Sequence, residues 1–192
     1  VWRVSDATKI EKLEENIKDL LNQNCKIILG SHLGRPQKKG KSGLSLLPVK
    51  KMTEKILNEE INFLEINNEA KKIISESDNK IFMLENLRFD PGEEANNKDY
   101  AKLLASFADV YINEAFSCSH RAHASIDAIT QFLESYAGSS IINEVEALEK
   151  VFLNSKKPVA CLIGGSKIST KIDLIINLMA NMDFMIIGGA MA

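Results

Sequence analysis

Apolar residues recur along the chain in two alternating patterns. In the first, they are spaced three and four residues apart, which is typical of one face of an amphipathic helix. This spacing predicts helices over residues 7–22, 100–107 and 141–152. In the second, they form short continuous runs, which are typical of strands buried on both faces of a sheet. The runs cover residues 26–30, 61–66, 80–86, 109–113, 158–165 and 184–189.

Strands that alternate with helices in this order predict a parallel α/β sheet with right-handed crossovers. The segment 138–157 is the best candidate for a boundary between two lobes. It begins with GSS, carries the amphipathic helix IINEVEALEKVFL and ends in the polar NSKKP. Because a helix with polar ends is suited to connect two lobes, we divide the chain into three parts. These are residues 1–138, 139–157 and 158–192.

The composition narrows the class of protein. At 192 residues and 45% hydrophobic content, the chain is long and apolar enough to bury a core. Its net charge of −2 argues against nucleic acid or a membrane surface as a partner.

Three separated cysteines (Cys25, Cys118 and Cys161) are typical of reduced thiols in a cytosolic protein. No apolar run approaches the roughly 18 residues needed to span a bilayer. We expect both ends, at Val1 and Ala192, to be cuts in a longer chain.

Basic and glycine-rich clusters follow nearly all of the predicted strands. SHLGRP (31–36) follows the first run, ENLRFDPGEE (85–94) the third and NEAFSCSHRAHAS (113–125) the fourth. GGSK and GGAMA close the last two runs. In an open parallel sheet, ligands bind outside the carboxyl ends of the strands. The clusters therefore predict binding sites along that edge.

All three histidines of the chain lie within three residues of an arginine, and several kinds of site are compatible with this. Cys118, His120 and His123 supply three potential metal ligands. A closed zinc site needs four, however, and Arg121 among them repels a cation. A histidine general base is a second option, with Glu114 or Asp127 to orient it. A third is a structural loop whose histidines only satisfy backbone groups.

An anion-binding site explains the clusters together. Arg35, Arg88 and Arg121 each come soon after a predicted strand, and guanidinium groups bind carboxylate or phosphate in a bidentate manner. The small residues around Arg121 allow backbone N–H groups to approach an oxyanion. Three arginines paired only with surface carboxylates would be a poorer account of this arrangement.

The two glycine pairs indicate a second anion site. GGSKISTK places Gly164 and Gly165 at a strand end, with Lys167 and Lys171 near the start of a helix predicted over 169–180. Free N–H groups and the helix dipole favour phosphate there. Two anionic ligands in one protein suggest phosphoryl transfer, in which positioning and charge neutralisation do most of the catalysis.

The motifs SHLGRP, LENLRF, DVYINEAFSCSHRAHAS, GGSKISTK and IIGGAMA occur in the order and approximate spacing found in the phosphoglycerate kinase family. The chain resembles that family along essentially its whole length. The resemblance implies a doubly wound, Rossmann-like α/β lobe that binds the triose, a connector helix and the first part of a second α/β lobe. It implies reversible glycolytic transfer of phosphate between ATP and the carboxylate of 3-phosphoglycerate, with magnesium ADP or ATP on the second lobe. It further implies a cytoplasmic monomer.

The resemblance also assigns roles to residues. The implied triose-binding set is Lys9, His32, Leu33, Gly34, Arg35, Arg88, His120, Arg121 and His123. The implied nucleotide-binding set is Gly165, Ser166, Lys167, Lys171, Gly188 and Gly189. Lys9 and Lys171 are the implied catalytic residues, and no metal ligand is assigned.

The chain departs from the family pattern at several points. Lys9 stands where the family has an arginine, so the charge is kept and the guanidinium fork is lost. Ala190 replaces a third glycine. The DFN loop of the family would precede Val1, and its magnesium-binding aspartate would follow Ala192. We therefore expect this chain alone to be inactive. The alternative is a module that binds a phosphorylated acid without catalysis.

Overall fold

The structure is a computed structural model that describes residues 4–36, 43–152, 156–165, 172–179 and 181–189. The chain divides into two compact units, Val1–Ile141 and Ile142–Ala192. Among the described residues, no helix has both the length and the apolar character that crossing a membrane requires.

Helices and strands alternate along most of the first unit. Among the described residues, short 3₁₀ helices at Leu87–Phe89, Phe116–Cys118 and Ala128–Gln131 lie between the longer elements. In chain order the elements are α1 (Thr8–Glu11), α2 (Glu14–Asn22), β1 (Ile27–Leu29), α3 (Leu47–Leu57), β2 (Ile61–Leu64), α4 (Asn68–Glu76), β3 (Ile81–Leu84), α5 (Pro91–Glu94), α6 (Lys98–Ala105), β4 (Val110–Asn113), β5 (Glu134–Ala137), α7 (Ser139–Phe152), β6 (Ala160–Gly164), α8 (Ile172–Met179) and β7 (Phe184–Gly188).

The first unit is built around a parallel sheet with the strand order β1-β3-β2. Ile81 of β3 aligns with Ile27 on one side and with Ile61 on the other. β4 and β5 form a further parallel pair. The parallel arrangement predicted from the sequence is confirmed, and all six apolar runs contain a strand.

The sheet is covered by helices on both faces. Successive side chains of a strand point to opposite faces, and β3 shows the consequence. Ile81 and Met83 join a core cluster with residues of α2 and α3. Phe82 and Leu84 join a different cluster with residues of α4 and α6. The first unit is therefore doubly wound. Full burial of each large apolar side chain contributes about 1.5–3 kcal/mol.

Some element predictions were incomplete. The helix expected over 7–22 is two helices. The hydrogen bond from Lys12 N–H to Thr8 O spans four residues, as in an α-helix, but the next one, from Leu13 N–H to Ile10 O, spans three. This 3₁₀-type hydrogen bond separates α1 from α2. Strand β5 was not predicted because all four of its residues are exposed, so it has no buried apolar run. Helix α4 was also missed, although Asn67 caps it by accepting bonds from the N–H groups of Glu69 and Ala70.

The second unit contains β6 and β7, which pair in parallel from Ala160↔Phe184 to Gly164↔Gly188. α8 lies between them in the chain. It falls within the helix predicted over 169–180, whose residues 169–171 and 180 lie outside the described residues.

Candidate anion-binding site

The carboxyl ends of β1 and β3 bring two of the predicted clusters together. The strands are parallel neighbours, so the loops that follow them leave from the same edge of the sheet. The N–H group of Leu87 donates to the Ser31 carbonyl at 3.1 Å. SHLGRP and ENLRFDPGEE therefore lie side by side.

The fully buried amide of Asn86 connects these two loops. Its Oδ1 accepts from the N–H of Leu33 at 3.3 Å and from that of Arg88 at 3.1 Å. Its Nδ2 donates to the carbonyls of Leu33 at 2.8 Å and Leu44 at 2.9 Å. All four of its hydrogen bonds go to the backbone, so Asn86 sets the path of the chain around His32 and Gly34.

A buried carboxylate, Glu85, supports the same region. Its Oε1 accepts from the N–H groups of Leu46 at 2.9 Å and Asn86 at 2.7 Å, and its Oε2 accepts from Ser45 Oγ at 2.7 Å. Neither Glu85 nor Asn86 was among the predicted site residues. The available signal was a pair of polar residues directly after a strand that is buried along its whole length.

Gly34 has a conformation that favours glycine. Its φ angle is +64°, and a Cβ at this position would lie 2.9 Å from Leu44 Cδ2. Its carbonyl accepts a hydrogen bond from Arg88 Nη1 at 2.8 Å. Gly34 therefore helps to hold the Arg88 guanidinium.

Arg88 is a buried cation that is only partly satisfied by the protein. It is 9% exposed, and Glu94 Oε1 lies 3.5 Å from its Nε. Within the described part of the chain, Nε and Nη2 have no hydrogen-bond partner. Nη2 is thus unpaired, and Nε has only the ion pair with Glu94; an anion that reached the guanidinium would form charge-assisted hydrogen bonds with both nitrogens.

The third cluster, residues 113–125, reaches the same place. Cys118 Sγ lies 3.9 Å from His32 Nε2. Arg121 Nε donates to the neighbouring His120 Nε2 at 3.4 Å, and the His123 N–H donates to the Arg121 carbonyl at 3.0 Å. The described residues contain no group of three or more histidine, cysteine, aspartate or glutamate side chains placed to hold a metal ion.

The electrostatic environment of His32 shows that the clusters converge. Its pKa is lowered from the ordinary value of 6.5, first by burial and then by the positive charges of four residues. These are Arg88, Arg121, His123 and Lys9. They come from three separate segments of the chain, so the fold concentrates positive charge around one imidazole.

The other predicted triose-site residues take more open positions. Leu33, Arg35 and His120 are exposed, and Leu33 takes part through its backbone bonds with Asn86. Lys9 is exposed on α1.

The glycine pairs of the second unit lie next to each other. Gly164 and Gly188 are aligned partners at the carboxyl ends of β6 and β7. Gly165 and Gly189 follow them with φ angles of +150° and +72°. A Cβ on Gly189 would lie 3.6 Å from the Gly165 carbonyl oxygen. The described residues thus leave backbone accessible to a phosphate-bearing ligand. Ser166, Lys167 and Lys171 lie outside the described residues.

Comparison with known proteins connects this geometry to one family. The family model described as phosphoglycerate kinase matches residues 2–192. The phosphoglycerate kinase of Wolbachia sp. subsp. Brugia malayi (strain TRS) is 45% identical over 193 residues, covering 99% of this chain and 48% of the relative. The corresponding protein of Rhizobium meliloti (strain 1021) is 41% identical with the same coverage. The chain spans about half the length of these relatives.

Solved structures give the same result for the fold. The phosphoglycerate kinase of Coxiella burnetii superimposes with a TM-score of 0.82 at 32% identity, covering 97% of this chain and 48% of that one. The enzyme from Pyrococcus horikoshii OT3 has a TM-score of 0.85 at 21% identity, over 97% of this chain and 49% of its own.

Proposed function

Because the chain belongs to the phosphoglycerate kinase family, we propose that the whole protein catalyses reversible phosphoryl transfer between ATP and the carboxylate of 3-phosphoglycerate. It is then a glycolytic phosphotransferase with a carboxyl group as acceptor. The reverse reaction uses 1,3-bisphosphoglycerate and ADP.

One observation carries the proposal for the triose. Arg88, Arg121 and Lys9, together with His123 when it is protonated, place positive charge at His32, and two buried nitrogens of Arg88 have no hydrogen-bond partner among the described residues. 3-Phosphoglycerate has a carboxylate and a phosphate, so it carries negative charge at both ends. A concentrated group of cations with a guanidinium fork is suited to such a ligand.

The chemistry required of these residues is positioning and charge neutralisation. The acceptor carboxylate is already ionised and nucleophilic, so no general base has to remove a proton from it. The two arginines hold and neutralise the triose, while Lys9 contributes a mobile charge in place of the family's arginine. A bound anion favours the protonated form of His32, which the surrounding cations disfavour in the free protein.

The glycine pairs of β6 and β7 are proposed to receive the phosphates of the nucleotide. Gly165 and Gly189 fit a ligand that approaches the backbone closely, because both are exposed and glycine has no side chain. When bound, a magnesium ion would neutralise charge on the nucleotide phosphates. Ser166, Lys167 and Lys171 remain predicted nucleotide ligands, Lys171 with a catalytic role, as do Gly188 and Gly189.

The remaining properties follow from the family. We expect a cytoplasmic monomer whose partners are the two small-molecule substrates. We also retain the division into a triose-binding lobe at 1–138, a connector at 139–157 and the beginning of a nucleotide-binding lobe at 158–192.

Calorimetric titration of this chain with 3-phosphoglycerate tests the proposal, with Arg121→Ala, Arg121→Lys and the exposed Lys72→Ala as variants. We expect saturable binding that sulfate weakens, a large loss with Arg121→Ala and a smaller loss with Arg121→Lys. Lys72→Ala should bind as the parent does. Absence of binding by a folded parent chain, or full binding by Arg121→Ala, would contradict the proposed site. Binding by the whole protein without turnover would indicate a binding module instead.

A further inference from the structure

Helix α5 places two consecutive carboxylates next to the proposed triose site, and they have different environments. Asp90 caps the helix by accepting from the N–H of Gly92, and Pro91 occupies the first turn. Glu94 is half exposed and pairs with Arg88. Glu93 is 1% exposed, which makes it one of the most deeply buried charged side chains among the described residues.

The Glu93 carboxylate contacts one short segment of the third cluster. Oε2 accepts from the Ser125 N–H at 3.0 Å, and Oε1 accepts from Ser125 Oγ at 2.6 Å. His123 Nδ1 lies 3.7 Å from Oε1. In addition, the backbone carbonyl of Glu93 accepts from the N–H of Ala124 at 2.9 Å. Glu93 therefore binds three consecutive residues that are about 30 positions away in the chain.

The segment 123–125 continues directly from the cations of the site. The N–H of His123 bonds to the carbonyl of Arg121, so a shift of residues 123–125 moves Arg121 as well. On the other side of the site, the residue that follows Glu93 in α5 is Glu94, and Glu94 forms an ion pair with the Arg88 guanidinium. α5 consequently links the Arg88 side of the site to the Arg121 side.

We propose that Glu93 is a positioning residue that sets the placement of Arg121 and His123 relative to Arg88 for binding the triose. The proposal rests on the function proposed above. Glu93 does not touch the anion: it acts through the backbone and hydroxyl of Ser125, through the Ala124 amide and through His123.

The sign of the effect separates positioning from simple electrostatics. A buried negative charge close to an anion site repels the anion, so removing the charge should strengthen binding if charge alone matters. If Glu93 acts by positioning, removing its charge-assisted bonds should weaken binding, because a displacement of about 1 Å can cost up to roughly 100-fold. The two roles therefore predict opposite changes in Kd.

The test compares Glu93→Gln with Ser125→Ala and with Glu76→Gln in the full 192-residue chain. Glu93→Gln keeps the size of the side chain and removes its charge. Ser125→Ala removes only the hydroxyl donor from the segment. Glu76→Gln makes the same chemical change as Glu93→Gln at an exposed position on α4. For each variant, the Kd of 3-phosphoglycerate is measured by calorimetry, and amide hydrogen exchange is measured over residues 119–126 of the free chain.

We expect Glu93→Gln to bind 3-phosphoglycerate about 10- to 100-fold more weakly and to exchange faster over 119–126. Ser125→Ala should change both quantities in the same direction by a smaller factor, and Glu76→Gln should change neither. Binding by Glu93→Gln that equals or exceeds the parent's would overturn the proposal. If Glu93→Gln does not fold, Ser125→Ala decides: weaker binding supports the proposal, and unchanged binding overturns it.

Failure of the proposed function gives a different result. If the folded parent does not bind 3-phosphoglycerate, the function proposed for this site is wrong. The positioning role is then judged by hydrogen exchange alone. Faster exchange over 119–126 in Glu93→Gln, with no change in Glu76→Gln, would then show that Glu93 fixes the segment without serving triose binding, and unchanged exchange would refute the placement itself.

Discussion

At the scale of single residues, burial decides how the charged side chains of the site behave. Arg88 is enclosed, and two of its nitrogens have no hydrogen-bond partner among the described residues, whereas Arg35 is exposed to solvent. His32 lies where burial and four cations disfavour its protonated form. Residues of the same type thus have different properties because the fold gives them different neighbours and different access to water.

The first prediction concerns Glu94, the exposed counterion of Arg88. Glu94→Gln removes a negative charge 3.5 Å from the guanidinium Nε, so Arg88 no longer has to exchange one carboxylate for another when an anion binds. Because half-exposed ion pairs contribute about 0–1 kcal/mol, we expect the Kd of 3-phosphoglycerate to fall by a factor of about two to five. Calorimetry checks this, and a higher Kd would show that Glu94 helps to organise Arg88.

The second prediction concerns pH and His32. Its pKa in the folded chain is below the ordinary 6.5, so below pH 6.5 the unfolded chain takes up a proton that the folded chain resists. The free energy of unfolding therefore has a contribution from His32 that is complete above pH 6.5 and is lost as the pH falls toward the folded-state pKa.

His32→Gln should make this acid-induced loss of stability smaller. Urea unfolding at about pH 7.5 and pH 5.5 measures the change for the parent and the variant. The exposed His120→Gln is the control and should retain the parent's loss of stability. An equal loss in His32→Gln and the parent would rule out this role of His32.

At the scale of elements, the ends of β1 and β3 are joined by side chains rather than by further strand pairing. Asn86 bonds to residues 33, 44 and 88, and Glu85 bonds to residues 45 and 46. Asn86 and Glu85 directly follow β3, and their side chains form hydrogen bonds with backbone groups of loops that are not paired with any strand. Loops with so many fixed backbone groups can hold a binding site in place.

Asn86→Ala should therefore destabilise the first unit. The change deletes four hydrogen bonds from a position with no exposure to solvent, leaving buried backbone groups unpaired. We expect the free energy of unfolding to fall by about 2–4 kcal/mol. Urea unfolding measures this, and the exposed Asn22→Ala at the end of α2 should stay within about 0.5 kcal/mol of the parent. A similar small effect at both positions would contradict the role of Asn86.

At the scale of the whole molecule, each of the two units has its own parallel strands, but their apolar residues are buried to different degrees. The first unit has two buried clusters, one on each face of its sheet. In the second unit, large apolar side chains of β6 and β7 remain exposed, including Leu162 at 75% and Phe184 at 61%. The stability measured for this chain should therefore depend mainly on the clusters of the first unit.

A matched pair of phenylalanines tests this dependence. Phe82→Ala removes a fully buried ring and should cost about 3–5 kcal/mol of unfolding free energy. Phe184→Ala makes the same change on an exposed ring and should cost less than about 1 kcal/mol. Amide hydrogen exchange in β1, β2 and β3 should accelerate only in Phe82→Ala. Comparable costs for both variants would contradict the view that the first unit carries the stability.

The sequence by itself determined the strand runs, the parallel α/β class and the positions of the basic and glycine-rich clusters at the strand ends. It could do so because the spacing of apolar residues follows from local geometry, and because the residues after a strand always leave from its carboxyl end. The composition of SHLGRP and of the segment around Arg121 likewise predicts anion binding. Local patterns did not reveal the break at Lys12 or the exposed strand β5.

Only the tertiary structure decided which of these residues meet and what supports them. Glu93 contacts Ser125 across 32 positions of the chain, and Asn86 contacts Leu33 across 53. In the sequence, Glu93 and Asn86 resemble ordinary polar loop residues, because the residues next to them in the chain do not indicate that they are buried or which distant residues they contact. Burial and hydrogen bonding between distant segments depend on how the strands are ordered in the sheet. That order placed the loop of His32 beside the loop of Arg88, while Lys9, Arg121 and His123 reach His32 from elements outside this sheet.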